Sequence, residues 1–261
     1  MYDGPSPLTS YGPCDVLGVE RRLGIRRDTD GDGWDDDECD PNDPSVYPGA
    51  PINCVEKEGN PLVDRDCNGI PDTWELGCSE DLQWDTPLLV STTDQPIHLT
   101  DAANGVLFDL NGDGLRERVS WTRPGADDAW LALDRDGDGL ITSGKELFGS
   151  ATAQPGVPSP NGFLALAQFD LPENGGNNDG RIDAQDAIWP SLRLWTDRNH
   201  DGVSQVEELV AARDILTAVS LDFRLRARRD QYGNIYRYSS KIWFNGPSLG
   251  WITDVYLVRL Q

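Results

Sequence analysis

Short acidic segments, in which aspartate or asparagine stands at alternate positions and glycine follows, recur along the sequence. An EF-hand calcium loop has oxygen ligands at positions 1, 3 and 5, glycine at position 6, a carbonyl ligand at position 7 and a carboxylate at position 12. Calcium is a large, hard ion, and a flexible ring of protein oxygens favours it over magnesium. Six segments approach this pattern. They predict that the chain binds several Ca2+ ions and becomes ordered when it does.

The best match is the segment 197–208, which we call loop 4. Ser204 and Glu207 have the spacing of a capping box, which predicts that a helix begins inside the loop and holds position 12 in place. A solvated turn that leads into a capped helix is the alternative. The expected ligands are Asp197, Asn199, Asp201, the Val203 carbonyl and Glu208.

The segment 134–146, called loop 2, is one residue longer than the pattern. Ser143 and Glu146 again have capping-box spacing, so Glu146 either binds the metal or caps a helix; we favour the metal. The expected ligands are Asp134, Asp136, Asp138, the Leu140 carbonyl and Glu146.

The segment 109–120, called loop 1, lacks the closing acid because Ser120 stands at position 12. Glu117, or the neighbouring pair Asp127 and Asp128, could replace it, and a purely structural turn is the alternative. The expected ligands are Asp109, Asn111, Asp113 and the Leu115 carbonyl.

The segment 170–186, called loop 3, is stretched by an insertion at 172–176. Position 1 of an uninterrupted loop would be Gly175, which has no side chain, so Asp170 is expected to supply the missing oxygen. A helix is expected on both sides of this loop, whereas the other loops are predicted to be strand–loop–helix units. The expected ligands are Asp170, Asn177, Asp179, the Arg181 carbonyl and Asp186.

Two further loops, starting at Asp28 and Asp64, lie in a segment that has few apolar residues and contains all five cysteines. Clustered cysteines in a small, loop-rich segment indicate disulfides, and disulfides and metal would have to stabilise so small a core. Zinc is disfavoured because no CxxC pair is present. An acidic linker is the alternative. The expected ligands are Asp28, Asp30, Asp32, the Trp34 carbonyl, Asp64, Asp66, Asn68, the Ile70 carbonyl and Glu75.

The chain carries 45 acidic and 22 basic residues, a net charge of −23. Such a charge disfavours binding to nucleic acid or to an anionic membrane surface. No apolar run is long enough to span a membrane, and no signal peptide is visible at the start of the chain. Most of the nine tryptophans lie in apolar patterns, which indicates core positions rather than carbohydrate stacking.

The alternation of apolar stretches and acidic loops after residue 85 predicts an α+β fold of short strands and helices joined by EF-hand-like loops. The predicted domains are a lead segment 1–27, a loop-rich metal-binding segment 28–80 and a calcium-binding domain 86–261. Strands are expected at 130–133, 192–195 and 251–260, helices at 162–169 and 205–216, and a hairpin turn at 230–234.

These residues carry two resemblances. The string from Cys39 through NDPSVYPGAP and Cys54 to DRDCNGIPD resembles a metal-binding repeat of bacterial surface proteins that is similar to thrombospondin type 3 repeats, over about 28–78. The strings FDLNGDG, DDAWLALDRDGDGLI, ELFG, NGFLALAQFD, NDGRIDAQDA and LRLWTDRNHDGVSQVEEL resemble the calcium-dependent self-processing module of bacterial iron-regulated RTX proteins, over about 86–245. They imply an extracellular or cell-surface protein whose partners are calcium ions and possible surface proteins or glycans.

The second resemblance also implies calcium-activated cleavage of an Asp-Pro bond just before the module. Thr86 stands before Pro87 where that aspartate would be. Threonine has no carboxyl group to attack the carbonyl carbon, so we expect no self-cleavage and no enzyme activity. The leading prediction is a structural or adhesive calcium-binding module. The alternatives are a self-processing module and a regulatory calcium sensor, and the second of these would need an exposed apolar groove.

Overall fold

The computed structural model describes residues 28–31, 40, 42–47, 50–51, 64–65, 67, 72, 85–92, 97–155 and 160–260. The chain divides into two compact units, Met1–Glu80 and Asp81–Gln261. Among the described residues, no helix has the length and apolar character needed to cross a membrane.

The described part of the second unit consists mainly of antiparallel β-strands, with two short α-helices. The predicted α+β arrangement of EF-hand-like units is therefore wrong. The strands are β1 (Leu88–Ser91), β2 (Val106–Phe108), β3 (Glu117–Val119), β4 (Ala129–Leu133), β5 (Arg181–Asp183), β6 (Leu192–Trp195), β7 (Leu209–Ala211), β8 (Leu216–Ser220), β9 (Arg224–Arg229), β10 (Ile235–Phe244) and β11 (Leu249–Tyr256), and the helices are α1 (Gly162–Ala167) and α2 (Ala212–Ile215).

Nine of these strands form one sheet in the order β5-β8-β10-β11-β1-β4-β6-β7, with β9 paired to β10 as well. The strands β2 and β3 form a separate two-stranded sheet. The predicted hairpin is present, because the turn after Arg229 joins β9 to β10 and Gly233 adopts a φ of 95° in it. Glycine reaches that left-handed conformation without steric cost.

The central strands of the large sheet are buried on both faces. Leu88 and Val90 of β1 pack in one hydrophobic cluster with Phe163 of α1, whereas Leu89 packs in a second cluster with Phe108 of β2. Successive side chains of a strand point to opposite faces, so both clusters draw on the same strands. This explains why β1 and β4 are continuous apolar runs rather than alternating ones.

Three tryptophans form the centre of the second cluster. Trp121, Trp130 and Trp195 are fully buried. The ring centroids of Trp121 and Trp130 are 4.6 Å apart, and those of Trp121 and Trp195 are 5.4 Å apart. These three residues are core, as their apolar surroundings in the sequence predicted.

The helix predicted at 205–216 is wrong. This stretch contains a 3-10 turn at Val206–Glu208, then β7, then the four-residue helix α2. Leu209 of β7 pairs with Trp195 of β6, which extends the large sheet. The residues 205–216 have high helix propensity, but the hydrogen bonds and packing gained at a sheet edge outweigh it.

Few residues of the first unit are described. Asp72 is 1% exposed and accepts hydrogen bonds from the Arg65 guanidinium at 2.6 Å and from the Arg65 backbone N–H at 2.7 Å. The Arg65 carbonyl in turn accepts from Tyr47 N at 2.9 Å. Cys67 is disulfide-bonded, and the other four cysteines lie outside the described residues. The buried ion pair between Arg65 and Asp72 thus stabilises the described part of this small unit.

Candidate metal centres

Loops 1 to 4 share one hydrogen-bond pattern, built around the aspartate at position 1. In each loop the backbone N–H of the glycine at position 6 donates to Oδ2 of that aspartate. The pairs are Gly114 and Asp109 (3.0 Å), Gly139 and Asp134 (3.0 Å), Gly180 and Asp170 (2.9 Å), and Gly202 and Asp197 (2.9 Å).

The side chains at positions 3 and 5 hold the backbone in the same way. The N–H of position 5 donates to Oδ1 of position 3, in Asp113 and Asn111 (3.0 Å), Asp138 and Asp136 (3.1 Å), Asp179 and Asn177 (3.2 Å), and Asp201 and Asn199 (3.1 Å). The N–H of position 7 donates to Oδ1 of position 5, from Leu115 (2.8 Å), Leu140 (2.8 Å), Arg181 (3.0 Å) and Val203 (2.8 Å). Each loop therefore curls around its own side-chain oxygens.

Two positions of every loop have left-handed backbone. Position 6 is glycine throughout, with φ of 91°, 83°, 81° and 70° in Gly114, Gly139, Gly180 and Gly202. Position 4 has φ of 71°, 78°, 57° and 59° in Gly112, Gly137, Asn178 and His200. Asparagine and histidine are among the non-glycine residues found most often in this region. The variable fourth position therefore has a conformational role that the metal-ligand pattern does not reveal.

Loop 2 brings three carboxylates together. One oxygen each from Asp134, Asp136 and Asp138 lie within 4.8 Å of one another. Glu146 is 4% exposed, and its carboxylate accepts hydrogen bonds from Arg135 N at 3.3 Å and Thr142 N at 2.7 Å. No helix follows Ser143, so Glu146 does not cap one. It closes the loop by joining its two ends.

Loop 4 is closed in the same manner. Asp197 and Glu208 are 1% and 5% exposed, and Glu208 accepts from Arg198 N at 2.9 Å and from Trp195 Nε1 at 3.3 Å. Burial raises the pKa of Asp197, the nearby Glu208 and Asp201 carboxylates raise it further, and hydrogen bonds from the loop backbone oppose them. Two buried carboxylates this close together repel each other unless a cation or a proton neutralises them.

In loop 3 Asp170 takes the place of position 1 across the insertion. Its Oδ1 accepts from Asp179 N at 3.1 Å, in addition to the bond from Gly180. Asp186 is 3% exposed, and burial raises its pKa. Its Oδ2 accepts from Asp183 N at 2.7 Å, while Oδ1 has no hydrogen-bond partner among the described residues. A helix on both sides of this loop is wrong, because β5 lies within the loop, and a 3-10 turn (Trp189–Ser191) and then β6 follow it.

Loop 1 has the least complete set of oxygens. Ser120 is fully buried and donates to Asn234 Oδ1, so it does not face the loop. Glu117 forms an ion pair with Arg259 at 2.6 Å, although burial and the charges of Asp113 and Asp109 raise its pKa. The ammonium of Lys145 donates to the Gly112 carbonyl and places a positive charge beside this loop.

Asp127, the other candidate for closing loop 1, forms an ion pair with Arg198 of loop 4 at 3.2 Å. Its neighbour Asp128 is 8% exposed, and burial together with the charge of Asp127 raises the pKa of Asp128 to about 6. Asp127 is thus linked to loop 4, a contact that the sequence spacing did not indicate.

Three of the loops are in direct contact. Ser204 of loop 4 is buried and accepts at Oγ from Ile141 N of loop 2 at 2.6 Å. Asp109 of loop 1 accepts at its carbonyl from Gly144 N at 2.8 Å. Ser204 therefore does not act as the predicted helix cap. It connects two loops, and nothing in the local spacing signals a contact between residues 63 positions apart.

The N-terminal loops are described only in part. Gly31 N donates to Asp28 Oδ1 at 2.6 Å, the same bond between positions 4 and 1 that Gly137 N makes to Asp134 Oδ1 in loop 2 at 2.7 Å. Asp30 and Asp64 are also described, but nothing in their described surroundings tests a metal site. The other expected ligands, Asp32, Trp34, Asp66, Asn68, Ile70 and Glu75, lie outside the described residues.

Comparison with known proteins places this arrangement in a family. Residues 88–258, which contain all four loops and the eleven strands of the second unit, match the SPM domain. The chain is also similar to the iron-regulated protein FrpA of Neisseria meningitidis serogroup C, with 38% identity over 131 residues. That alignment covers 50% of this chain and 11% of FrpA, so the chain corresponds to about a tenth of that relative. The match over most of its length shows that the chain belongs to the SPM domain family.

Proposed function

We propose that the unit Asp81–Gln261 is a calcium-binding module in which loops 1 to 4 take up the ions. The observation that carries this proposal is the pattern common to the four loops. In each one, side-chain oxygens at positions 1, 3 and 5 gather the backbone N–H groups of positions 5, 6 and 7. A carboxylate oxygen has two lone pairs, so it can accept such a bond and also bind a metal.

The oxygens of the loops have the chemistry that calcium requires. Carboxylate, amide and carbonyl oxygens are hard donors, and a cage made mostly of protein atoms favours calcium over magnesium, which keeps several waters. The Oδ1 atom of Asp186 also supports the proposal, because it is buried and no described donor makes a hydrogen bond of good geometry to it, although the Asn177 backbone N–H lies close enough to lower the pKa of this carboxyl. A buried acceptor without a partner costs free energy, and a cation would remove that cost.

Charge gives the module its dependence on the metal. Residues 81–261 carry 26 acidic and 16 basic side chains, a net charge of −10, which makes the calcium-free module repel itself, and each bound ion would offset two of those charges. An ion that binds the folded chain and not the unfolded chain stabilises the folded state by mass action. We propose that the module folds or rigidifies when calcium reaches it outside the cell, and that its role at the surface is structural or adhesive.

Thermal unfolding in calcium-depleted buffer, and with excess Ca2+ or Mg2+, tests this function. We expect calcium to raise the unfolding temperature strongly and to reduce the hydrodynamic radius, with a much smaller effect from magnesium. Equal unfolding temperatures in all three buffers would refute the proposal.

We also propose that this chain does not cleave itself. Thr86 is 3% exposed; its N–H donates to Ser150 Oγ at 3.0 Å and its carbonyl accepts from Ser150 N at 3.1 Å. The bond to Pro87 is thus held in place, but residue 86 lacks the carboxyl group that attack would need. Gel electrophoresis after incubation with calcium should show one intact band, and a fragment that begins at Pro87 would establish self-processing instead.

A further inference from the structure

A groove on the large sheet combines positive charge with aromatic rings. It lies where β9, β10, β11 and β1 adjoin, on the face that carries Leu89 and Val255 of the second hydrophobic cluster. The concavity has a volume of about 310 Å3. Its lining includes Arg226, Arg228, Tyr236, Ser239, Trp251 and Thr253.

Two arginines of β9 stack on aromatic rings in this groove. Arg226 Cζ lies 4.9 Å from the ring centroid of Trp251, and Arg228 Cζ lies 3.9 Å from that of Tyr236. Trp251 is 44% exposed, so part of its indole ring is available for contact with a ligand. The Arg228 side chain also hydrogen-bonds to Tyr236. A guanidinium group has five N–H donors, so stacking fixes its plane while the other donors remain able to bind a planar anion.

The positive charge of the groove contrasts with the rest of the molecule. Residues 224–229 read RLRARR, so four of the 22 basic residues of this acidic chain stand in six positions. Arg224 is paired with Asp222 at 3.0 Å. Neither Arg226 nor Arg228 has a carboxylate within ion-pair distance in the part of the chain that the structure describes. Unpaired arginines in a groove attract an anion.

The remaining lining is rich in hydroxyl groups. Ser239 Oγ and Thr253 Oγ1 are 3.1 Å apart, so they form a hydrogen-bonded pair that could rearrange to meet a ligand hydroxyl. Ser91 pairs with Trp251 on the adjacent strand and lies beside them. Hydroxyl groups, an exposed indole ring and two guanidinium groups together match a sugar ring that bears a carboxylate.

We propose that this groove binds an acidic saccharide. A ring carboxylate would accept charge-assisted, bidentate hydrogen bonds from Arg226 or Arg228. The apolar face of the sugar would pack on the exposed part of Trp251, and its hydroxyls would bond to the serine and threonine side chains. An acidic peptide offers the carboxylates but lacks the ring and the hydroxyls, so the groove favours the saccharide.

Isothermal titration of the calcium-loaded full chain tests the proposal with three probes: a hyaluronan tetrasaccharide, the neutral chitotetraose and tetraglutamate. We expect binding of the hyaluronan tetrasaccharide that weakens with added salt, and association at least about tenfold weaker for the other two probes. Binding of chitotetraose as tight as that of the hyaluronan tetrasaccharide would show that the arginines do not recognise a carboxylate, and it would refute the proposal. Equal or tighter binding of tetraglutamate would show that the groove takes acidic peptides, and absence of binding to the hyaluronan tetrasaccharide would also overturn the proposal.

Two substitutions in the groove and one outside it locate the site. Arg226→Gln and Arg228→Gln should each weaken binding of the hyaluronan tetrasaccharide by about tenfold, the loss expected for a charge-assisted pair. Arg213→Gln removes the same charge from an exposed position on α2 and should leave the affinity unchanged. Calcium titrations of all three proteins should match the parent chain. Unchanged saccharide affinity in both groove variants, or an equal loss in Arg213→Gln, would refute the assignment.

Discussion

Single residues of the loops differ in what they tolerate, because the same backbone conformation occurs in different surroundings. At Gly139 of loop 2 (φ 83°), a Cβ atom would meet nothing within 4 Å. At Gly202 of loop 4 (φ 70°), it would lie 2.9 Å from the Leu107 carbonyl oxygen and 2.9 Å from the Val106 side chain. Both positions disfavour a side chain, but only Gly202 is also in close contact with β2.

A comparison of Gly139→Ala with Gly202→Ala separates the energetic cost of a left-handed backbone conformation from the cost of a steric clash with β2. We expect Gly139→Ala to lower the free energy of unfolding by about 1 to 2 kcal/mol, the cost of left-handed backbone in a residue with a Cβ. Gly202→Ala should cost about 1 to 3 kcal/mol more, because β2 must shift as well. Urea denaturation of the calcium-loaded variants measures both. Equal losses would mean that loop 4 does not pack on β2 in solution.

A substitution of Asp170 tests whether loop 3 binds calcium with a first ligand from before its insertion. Asp170→Ala removes the acceptor of two backbone N–H groups, and it should abolish one calcium site in a titration. It should also destabilise the chain by about 1 to 3 kcal/mol. Glu173→Gln changes an exposed acid within the same insertion and is the matched control. Loss of a site in both variants, or in neither, would count against Asp170 as the first ligand.

The elements that close the loops are side chains and strands rather than the helices of an EF-hand. Glu146 and Glu208 join the two ends of loops 2 and 4 through backbone N–H groups. The ligand spacing within each loop could be predicted from the sequence, since it depends on a contiguous stretch of residues. The elements after the loops could not be predicted, because the conformation of residues 209–211 is set by pairing with β6 rather than by local propensity.

Contacts between loops could not be predicted because they join residues far apart in the sequence. Ser204 has the local spacing of a capping residue, yet its hydroxyl bonds to Ile141 of another loop. Likewise, the insertion in loop 3 forms its own 3-10 turn, which ends at the left-handed Gly175. This turn reverses the chain, so Asp170 lies next to Gly180 although ten residues separate them. In the sequence, only the glycine at position 1 of the uninterrupted pattern indicated that Asp170 supplies the missing ligand.

Ser204→Ala tests the connection between loops 2 and 4. The substitution leaves the N–H of buried Ile141 without its acceptor, so the free energy of unfolding should fall by about 1 to 3 kcal/mol. Calcium affinity should fall in both loops, which a titration of the variant would resolve. Ser191→Ala, at an exposed serine in a 3-10 turn, is the control and should leave both quantities unchanged. A loss confined to loop 4 would contradict the coupling.

At the scale of the whole molecule, buried carboxylates and a large negative charge make stability depend on pH and on calcium together. Burial raises the pKa of Asp254 and of Asp128 to about 6, and it also raises the pKa of Asp186 and Asp197. An unfolded aspartate titrates near 3.9. Between these values the folded state binds more protons than the unfolded state, so stability falls as pH rises.

Calcium should weaken that dependence, because the loop carboxylates Asp186 and Asp197 must be ionised to bind it, whereas Asp128 and Asp254 lie outside the proposed sites. In calcium-depleted buffer we expect the free energy of unfolding to decrease from about pH 4 to about pH 6, by up to roughly 3 kcal/mol for the fully buried Asp254 and by less for Asp128, whose charge solvent screens in part. In saturating calcium the free energy of unfolding should decrease less over the same range. Urea midpoints across this pH range in the two buffers measure the slopes, and slopes of the same sign and size would contradict the expectation.

The central claim is that the loops of the second unit bind calcium ions that the fold needs. Isothermal titration of the calcium-depleted full chain, with native mass spectrometry of the product, measures it most directly. We predict a large binding heat and at least three bound ions per chain. Loop 1 should be the weakest of the four, because Ser120 replaces the closing acid, Glu117 is paired with Arg259, and Lys145 adds a positive charge beside the loop. Absence of heat, or a chain that carries no calcium in the mass spectrum, would contradict the claim.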